Sequence, residues 1–188
     1  MEIKSAKYLT SVVNAKDLLS DGTEFAFVGR SNVGKSSFIN SLVGQKLART
    51  SSEPGRTRMI NYFLINNDFR FVDLPGYGFH KAGKQNEKMW ESLMEDYLSS
   101  SKALKRVFML VDIRHDPTQL DKQMLEYLTY SGLAFTIVAT KADKIAKSKI
   151  PAYVANIAKV LKITPNNIIA YSSQTKFNKD KIFELLEI

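Results

Sequence analysis

The 188-residue chain contains no cysteine, which excludes disulfides and metal sites built from thiolates. It also lacks any apolar run that approaches the roughly 20 residues of a membrane-spanning helix. Its first residues alternate charged and apolar side chains and have no apolar core of a secretion signal. Hydrophobic residues make up 44% and charged residues 24%, so we expect a soluble protein with one domain of ordinary size. The absence of cysteine favours the cytoplasm.

Acidic residues are fewer than basic ones, and the excess of positive charge is partly local. The chain has 27 Lys and Arg against 19 Asp and Glu, a formal net charge of +8. Residues 141–188 contain nine lysines against four acidic residues, and residues 45–58 contain four basic residues against one acidic residue. This balance favours RNA or DNA over a membrane as partner, although a solvated basic surface would give the same counts.

Short apolar segments alternate with amphipathic ones along the chain, which is typical of an α/β fold. The predicted strands are 24–29, 59–66, 69–74, 106–113, 135–140 and 168–173. The second and third are separated by a short turn and form an antiparallel pair, and helices are predicted between the other strands. We expect a six-stranded, mostly parallel sheet with one antiparallel edge strand and helices on both faces. This core spans residues 23–188 of a single domain, 1–188, and residues 1–22 form an N-terminal extension.

Residues 29–36, GRSNVGKS, match the pattern G-x-x-x-x-G-K-[ST] of a loop that binds phosphate. The loop follows a predicted buried strand and precedes a predicted helix, so backbone N–H groups and the helix N-terminus can converge on phosphate oxygens. We expect Lys35 to contact the β- and γ-phosphates and the Ser36 hydroxyl to bind Mg²⁺. The predicted phosphate-binding residues are Gly29, Arg30, Ser31, Asn32, Val33, Gly34, Lys35, Ser36 and Ser37.

An acidic element, DLPG, lies at the end of another predicted buried strand. The carboxylate of Asp73 can hold Mg²⁺ through water, and the N–H of Gly76 can meet the γ-phosphate. Leu74 and Pro75, between them, complete the predicted contact segment.

Residues 51–60, SSEPGRTRMI, separate these two elements. A hydroxyl here could complete the Mg²⁺ shell only while the γ-phosphate is present, which would make the segment a nucleotide-dependent switch. Thr50 and Thr57 are the candidates, and we choose Thr57 because PGRTR leads directly into a strand. The predicted contacts of this segment are Pro54, Gly55, Arg56 and Thr57.

The tetrapeptide TKAD follows the predicted strand 135–140 and indicates which base is bound. Asp143 can accept two hydrogen bonds from the ring N–H and the amino group of guanine. Adenine lacks that amino group and would leave the carboxylate unpaired. The Lys141 stem can cover one face of the base, and backbone N–H groups near Ser173 can meet the guanine carbonyl. The predicted base-binding residues are Thr140, Lys141, Ala142, Asp143, Tyr171, Ser172 and Ser173.

The motifs GRSNVGKS, PGRTR, DLPG, TKAD and YSS occur in the order found in translation-factor-related GTPases. More narrowly, the chain resembles the EngB (YihA/YsxC) family, through GRSNVGKSSFIN, PGRTRMINYF, FVDLPGYGF, VDIRHDPTQLD and ATKAD followed by SSQTK. The resemblance covers roughly residues 20–186. It implies a P-loop GTPase three-layer sandwich, Mg²⁺-dependent GTP hydrolysis, and association with the large ribosomal subunit and its RNA during maturation. Lys35, Thr57 and Gly76 are the expected catalytic residues, and we expect a monomer.

Two positions depart from common GTPase patterns, and a third matches a pattern found in related GTPases. Thr140 stands where the base motif commonly begins with Asn, although its hydroxyl can still hold the loop. Tyr77 stands where many GTPases place the Gln that orients the attacking water, so we expect slow intrinsic hydrolysis. Asn32 resembles the asparagine that ligates K⁺ in related GTPases, so K⁺ is a candidate activator.

Two other classes of function compete with a GTPase switch. Because Tyr77 replaces the water-orienting Gln, the chain could instead be an RNA-binding module that nucleotide stabilises and that hydrolyses hardly any of it. A P-loop kinase or ATPase is disfavoured by Asp143 and by the absence of an arginine-rich lid.

Overall fold

The computed structural model describes residues 3–48, 59–78 and 84–186, with side chains of the last range described from residue 92 onward. It contains strands β1 (Ala6–Val12), β2 (Glu24–Gly29), β3 (Ile60–Ile65), β4 (Phe69–Asp73), β5 (Leu104–Asp112), β6 (Phe135–Thr140) and β7 (Ile168–Ala170). Its α-helices are α1 (Lys35–Val43), α2 (Lys84–Ser100), α3 (Gln119–Tyr130), α4 (Ile150–Leu161) and α5 (Lys179–Leu185). None of the helices in these ranges is long and apolar enough to cross a membrane.

The strands form one sheet in the order β1-β3-β4-β2-β5-β6-β7. The five strands from β4 to β7 in this order are parallel, and β3 runs antiparallel to β4. The mostly parallel α/β sheet with antiparallel pairing at one edge is therefore confirmed.

The predicted number of six strands is wrong, because the sheet has seven. The additional strand, β1, lies in the segment 1–22 and pairs antiparallel with β3, from Ala6 opposite Ile65 to Val12 opposite Ile60. An edge strand leaves much of its surface exposed, and Tyr8 and Leu9 of β1 are exposed accordingly. Its sequence, AKYLTSV, combines one lysine and polar residues with apolar ones. It therefore differs from the apolar runs of the central strands and was not predicted.

Alternation along the central strands produces two cores, one on each face of the sheet. On one face, Phe27 of β2 stacks on Phe108 of β5 with ring centroids 5.5 Å apart, and α1 and α5 cover them. On the other face, Ala26 and Val28 pack beneath the buried residues of α2, α3 and α4. Helices therefore cover both faces, as expected, and the carboxyl ends of the parallel strands remain together at one edge.

A buried charged cluster lies at the opposite, amino-terminal edge of β2 and β4. Glu24, which is 0% exposed, accepts hydrogen bonds from Arg70 Nε at 3.0 Å, Tyr97 Oη at 2.8 Å and Ser101 Oγ at 3.0 Å. Arg70 also forms an ion pair with Asp21 at 3.1 Å. Burial raises the pKa of Tyr97, and the charge of Glu24 raises it further. This cluster joins β2, β4 and the end of α2.

Candidate functional site

The loop between β2 and α1 brings the predicted phosphate-binding residues into a tight turn. Asn32 and Gly34 have φ angles of 65° and 102°, in the left-handed region. A Cβ atom on Gly29 would lie 2.9 Å from the carbonyl oxygen of Leu110, so a side chain does not fit where the chain leaves β2. Because α1 starts directly after Gly34, the N-terminus of the helix adjoins the loop. This is the arrangement in which backbone N–H groups bind phosphate.

Lys35 and Asp73 meet beside this loop. Lys35 is the first residue of α1 and Asp73 is the last of β4, which lies next to β2 in the sheet. The ammonium of Lys35 donates a hydrogen bond to Oδ1 of Asp73, and their side chains are 10% and 6% exposed. The structure therefore joins the residue predicted to contact phosphate to the residue predicted to hold Mg²⁺.

The DLPG segment lies against the phosphate loop. The N–H of Tyr77 donates to the carbonyl of Gly29 at 3.3 Å, and the N–H of Ser31 donates to the carbonyl of Tyr77 at 3.1 Å. A Cβ atom on Gly76 would lie 3.4 Å from the nitrogen of Ser31, so Gly76 packs directly on this loop. The two predicted phosphate elements are thus adjacent.

The end of β6 is bonded to the same loop. The Thr140 hydroxyl lies 2.6 Å from the carbonyl oxygen of Val33 and 3.0 Å from that of Val111. Lys141 Nζ lies 2.8 Å from the carbonyl oxygen of Asn32. Thr140 therefore holds the phosphate loop, although Asn is common at this position.

Asp143 is held as an ionised carboxylate at the base side of the site. Ser172 Oγ donates to its Oδ1 at 2.8 Å, and Lys144 Nζ lies 3.4 Å from its Oδ2. Burial opposes ionisation, but the bonds from Ser172, the backbone and Lys144 outweigh it and lower the pKa of Asp143. The carboxylate therefore accepts hydrogen bonds at neutral pH, as contact with guanine requires.

Most of the chain is similar in sequence to known proteins. The family described as "50S ribosome-binding GTPase" matches residues 24–141. A probable GTP-binding protein EngB of Finegoldia magna is 50% identical over 167 residues, which cover 88% of this chain and 83% of that protein. The Bacillus subtilis protein of the same description is 44% identical, over 96% of this chain and 94% of its own length.

The chain belongs to the EngB family of GTP-binding proteins. It is a GTPase, and the family resemblance expected from its motifs is confirmed. A crystal structure of a probable GTP-binding protein engB has a TM-score of 0.72 at 21% identity, covering 88% of this chain and 97% of that one. Era, solved with MgGDPNP and a 16S ribosomal RNA segment, has a TM-score of 0.70 at 21% identity, covering 89% of this chain and 56% of Era. At these identities the two structures show the fold.

The oxygen donors of this EngB-family site suit Mg²⁺, which prefers hydroxyl, carboxylate, phosphate and water oxygens. Ser36 lies in the first turn of α1, and Asp73 lies beside Lys35. No group of three or more His, Cys, Asp or Glu side chains in the described ranges is placed to hold a metal alone. Mg²⁺ would therefore need phosphate and water ligands as well. The predicted contacts Pro54, Gly55, Arg56 and Thr57 lie outside the described residues.

The side chain of Tyr77 contacts α3. Its hydroxyl donates to Oδ1 of Asp121 at 2.8 Å, and burial, followed by the charge of Asp121, raises the pKa of Tyr77. Asp121 also accepts hydrogen bonds from the backbone and hydroxyl of Thr118 at the start of α3, and Arg30 lies 3.9 Å away. Asp121 was not predicted from the sequence, although Thr118 and Asp121 have the spacing of a helix capping box.

Tyr171 contributes to the site through its backbone only. The strand β7 ends at Ala170, and the carbonyl of Tyr171 accepts a hydrogen bond from the N–H of Ala142 at 3.0 Å. The Tyr171 side chain is fully buried on the α1 side of the sheet, where its hydroxyl lies 2.8 Å from Ser41 Oγ. Burial raises the pKa of Tyr171 to about 12.

A cleft of about 240 Å³ adjoins the phosphate loop on the side of α3, and Asn32, Arg114 and His115 are among its lining residues. Asp112, at the end of β5, also lines it and was not predicted. Its carboxylate accepts hydrogen bonds from Arg114 at 2.9 and 2.8 Å and lies 2.9 Å from Lys141 Nζ. Burial opposes ionisation of Asp112, but these bonds hold its pKa well below the usual range. The sequence signal that could have identified Asp112 is an acidic residue at the end of an apolar strand, the same signal that identified Asp73.

Proposed function

We propose that this GTPase acts as a switch in assembly of the large ribosomal subunit and hydrolyses GTP slowly on its own. The family description, 50S ribosome-binding GTPase, supports the ribosomal role. The net charge of +8 suits an RNA-containing partner. The proposal of slow hydrolysis rests on one observation, which is that the hydroxyl of Tyr77 lies 2.8 Å from Asp121 on α3.

The proposed roles at the phosphate end follow from the contacts of Lys35 and Asp73. Phosphate oxygens would compete with Asp73 for the Lys35 ammonium, which has three N–H donors. Ser36 and Asp73 would then hold Mg²⁺, and Gly76 would meet the γ-phosphate through its N–H. When bound, Mg²⁺ neutralises negative charge on the phosphate oxygens. We keep Thr57 as the proposed hydroxyl that senses the γ-phosphate.

The proposed base recognition depends on Asp143. Its carboxylate accepts two guanine hydrogen bonds, and Ser172 orients it through the 2.8 Å bond to Oδ1. The Lys141 stem covers one face of the base, while its ammonium stays on Asn32 and Asp112. Backbone N–H groups near Ser173 meet the guanine carbonyl.

Slow hydrolysis follows from the position after DLPG. A water-orienting Gln needs a free amide next to the γ-phosphate. The Tyr77 backbone is bonded to the phosphate loop and its hydroxyl to Asp121, so this residue has no group left to orient water. Another group must assist hydrolysis, and we propose K⁺ beside Asn32 together with the ribosomal partner. The Asn32 side chain is exposed and makes no hydrogen bond within the described residues.

Phosphate release from GTP, measured with and without purified large ribosomal subunits, tests this function. We expect slow release from the protein alone, faster release with subunits, and faster release in K⁺ than in Na⁺. Equal rates in the two salts would remove K⁺ from the proposal. Tight GTP binding with no release under any condition would instead support a nucleotide-stabilised RNA-binding module.

We further propose that residues 1–188 act as one cytoplasmic, monomeric unit. The pairing of β1 with β3 supports the single folded unit, because it incorporates the extension 1–22 into the sheet of the core 23–188. Light scattering after gel filtration tests the monomer, and a mass of twice the 21.3 kDa of one chain would contradict it.

A further inference from the structure

One long part of the chain has no negative charge. Residues 144–179 contain seven lysines and not one Asp or Glu. At the average composition of this chain, 36 residues would contain about four acidic residues. This stretch covers the loop after β6, the helix α4, the strand β7 and the loop that leads into α5.

Four of these lysines lie on two neighbouring loops at the carboxyl edge of the sheet. Lys144, Lys147 and Lys149 are in the loop between β6 and α4, and Lys176 is in the loop between β7 and α5. The two loops are joined by the 3.0 Å bond from the Ala142 N–H to the Tyr171 carbonyl, and β6 pairs with β7. All four lysines are exposed, and together they are called the lysine rim.

Acidic groups near the lysine rim are already engaged. Asp143 is the only carboxylate in residues 141–149 and 171–178. It is bonded to Ser172 and paired with Lys144. Lys147, Lys149 and Lys176 form no ion pair within the described residues. Three of the four rim lysines therefore present positive charge that no described carboxylate neutralises.

The stability of the fold does not explain Lys147 and Lys149. Lys147 and Lys149 lie immediately before α4, at the end of the helix dipole where positive charge is unfavourable. Lys179 differs, because it donates to the carbonyl of Ser41 at 3.0 Å and lies over the ring of Phe183. Positive charge kept at a cost to the helix indicates a negatively charged partner.

We propose that the lysine rim binds the phosphate backbone of structured RNA, beside the guanine pocket. This inference rests on the proposed function, because it names the surface that the RNA partner contacts. RNA is favoured over a membrane because Tyr153, which is 36% exposed, is the only exposed large apolar side chain described in residues 144–179. One aromatic ring suits stacking on a base, whereas insertion into a bilayer needs a larger apolar surface.

The test removes three charges from the rim and, as a control, three from the segment 1–22, whose strand β1 is at the other end of the strand order from β6 and β7. The rim variant is Lys147→Gln/Lys149→Gln/Lys176→Gln, and the control variant is Lys4→Gln/Lys7→Gln/Lys16→Gln, all at exposed positions. Gln keeps most of the side-chain stem and removes the charge. Lys144 stays unchanged because it pairs with Asp143. Thermal stabilisation by GDP, expected to equal that of the wild type, checks that both variants are folded.

Binding is measured to purified large ribosomal subunits and to a 20-base-pair RNA duplex over a salt series. The affinity falls as salt rises, and each lysine–phosphate interaction adds about one to the steepness of log affinity against log salt. The rim variant should therefore have a slope that is less steep by about three. We expect its affinity at low salt to fall by about tenfold or more, while the control variant binds like the wild type.

The possible results distinguish a failure of the lysine rim proposal from a failure of the proposed function. If the wild type binds subunits and both variants bind equally well, the rim is not the RNA surface, although the proposed function stands. Equal losses in the two variants would also overturn the rim, since only net charge would matter. A wild type that binds neither probe would overturn both proposals. Rim-dependent binding to anionic lipid vesicles without RNA binding would replace RNA by a membrane.

Discussion

The strands β2 and β4 have a buried acid–base contact at each end, and the two contacts differ in their partners. At the amino ends, Glu24 pairs with Arg70. At the carboxyl ends, Asp73 pairs with Lys35, which follows β2 through the phosphate loop. Both pairs are largely shielded from solvent, so burial alone does not distinguish them.

The number of protein partners does distinguish the two ends. Glu24 receives hydrogen bonds from Arg70, Tyr97 and Ser101, so the protein itself satisfies this carboxylate. Asp73 has Lys35 as its hydrogen-bond donor in the described residues, and Lys35 has further N–H donors to offer. The amino-terminal pair is therefore built for stability, while the carboxyl-terminal pair keeps bonding capacity for a ligand.

Replacement of Arg70 by Met should have the largest effect on stability. Glu24 would lose its cationic partner at a site with 0% exposure, and breaking a buried pair costs about 3–5 kcal/mol. Urea unfolding measures this loss, and GDP affinity of the folded protein should not change. The double variant Glu24→Gln/Arg70→Met removes the stranded charge and should recover part of the loss. Unchanged stability in the single variant would contradict the structural role of the amino-terminal pair.

Asp143→Asn should have the largest effect on nucleotide binding. Loss of the charged acceptor should weaken GDP binding by about 3 kcal/mol, or about a hundredfold, and favour xanthosine diphosphate, whose carbonyl can accept from the amide. Calorimetric titration of both nucleotides measures the change. Lys144→Gln is the matched control, because it keeps the carboxylate and should alter GDP binding much less. Unaltered GDP affinity in Asp143→Asn would exclude this residue as the guanine contact.

Lys35→Met tests whether the Lys35–Asp73 pair serves ligand binding rather than stability. Without its charge-assisted hydrogen bond to phosphate, GDP binding should weaken by about 2 kcal/mol, or about thirtyfold. Unfolding without nucleotide should be affected less than by Arg70→Met, since Asp73 lies at a strand end beside a loop. An equal loss of stability in the two variants would show that both pairs are structural.

Tyr77→Phe should have the smallest effect. Loss of the hydrogen bond to Asp121 should cost about 1 kcal/mol of unfolding free energy. The rate of GTP hydrolysis without a partner should stay unchanged, because this hydroxyl is directed at α3. A clear fall in that rate would place Tyr77 in the reaction.

Alkaline pH provides a second measurement on the same variant. The pKa of Tyr77 is raised by burial and by Asp121, so the phenol ionises at about pH 10 in the unfolded chain and higher in the folded one. Its contribution to stability is therefore complete below pH 10 and is lost as the pH rises. Wild-type stability should fall more steeply than that of the Phe variant, by up to about 1.4 kcal/mol per pH unit. Equal slopes between pH 9 and 11 would contradict the raised pKa.

Local sequence was sufficient to predict the central strands and the binding of a phosphate-containing ligand. Residues 24–29 are wholly apolar apart from Glu24 and Gly29, and β2 spans the same residues. The motif from Gly29 to Ser36 was recognisable because glycine, lysine and serine act there within eight consecutive residues. The edge strand β1 was missed because a half-exposed strand lacks the apolar run that marks a buried one.

The amino-acid sequence by itself determined the phosphate loop, the acidic DLPG element, the TKAD motif and the positive charge. These features depend on residue type and on short spacing along the chain. Only the tertiary structure decided that Thr140 bonds to Val33, 107 residues away, that Tyr77 bonds to Asp121 and that Lys35 meets Asp73. Tertiary structure also decided the lysine rim, whose lysines lie on the two loops that follow β6 and β7. The physical reason is that such contacts depend on strand order, which is set by pairing and packing across the whole sheet.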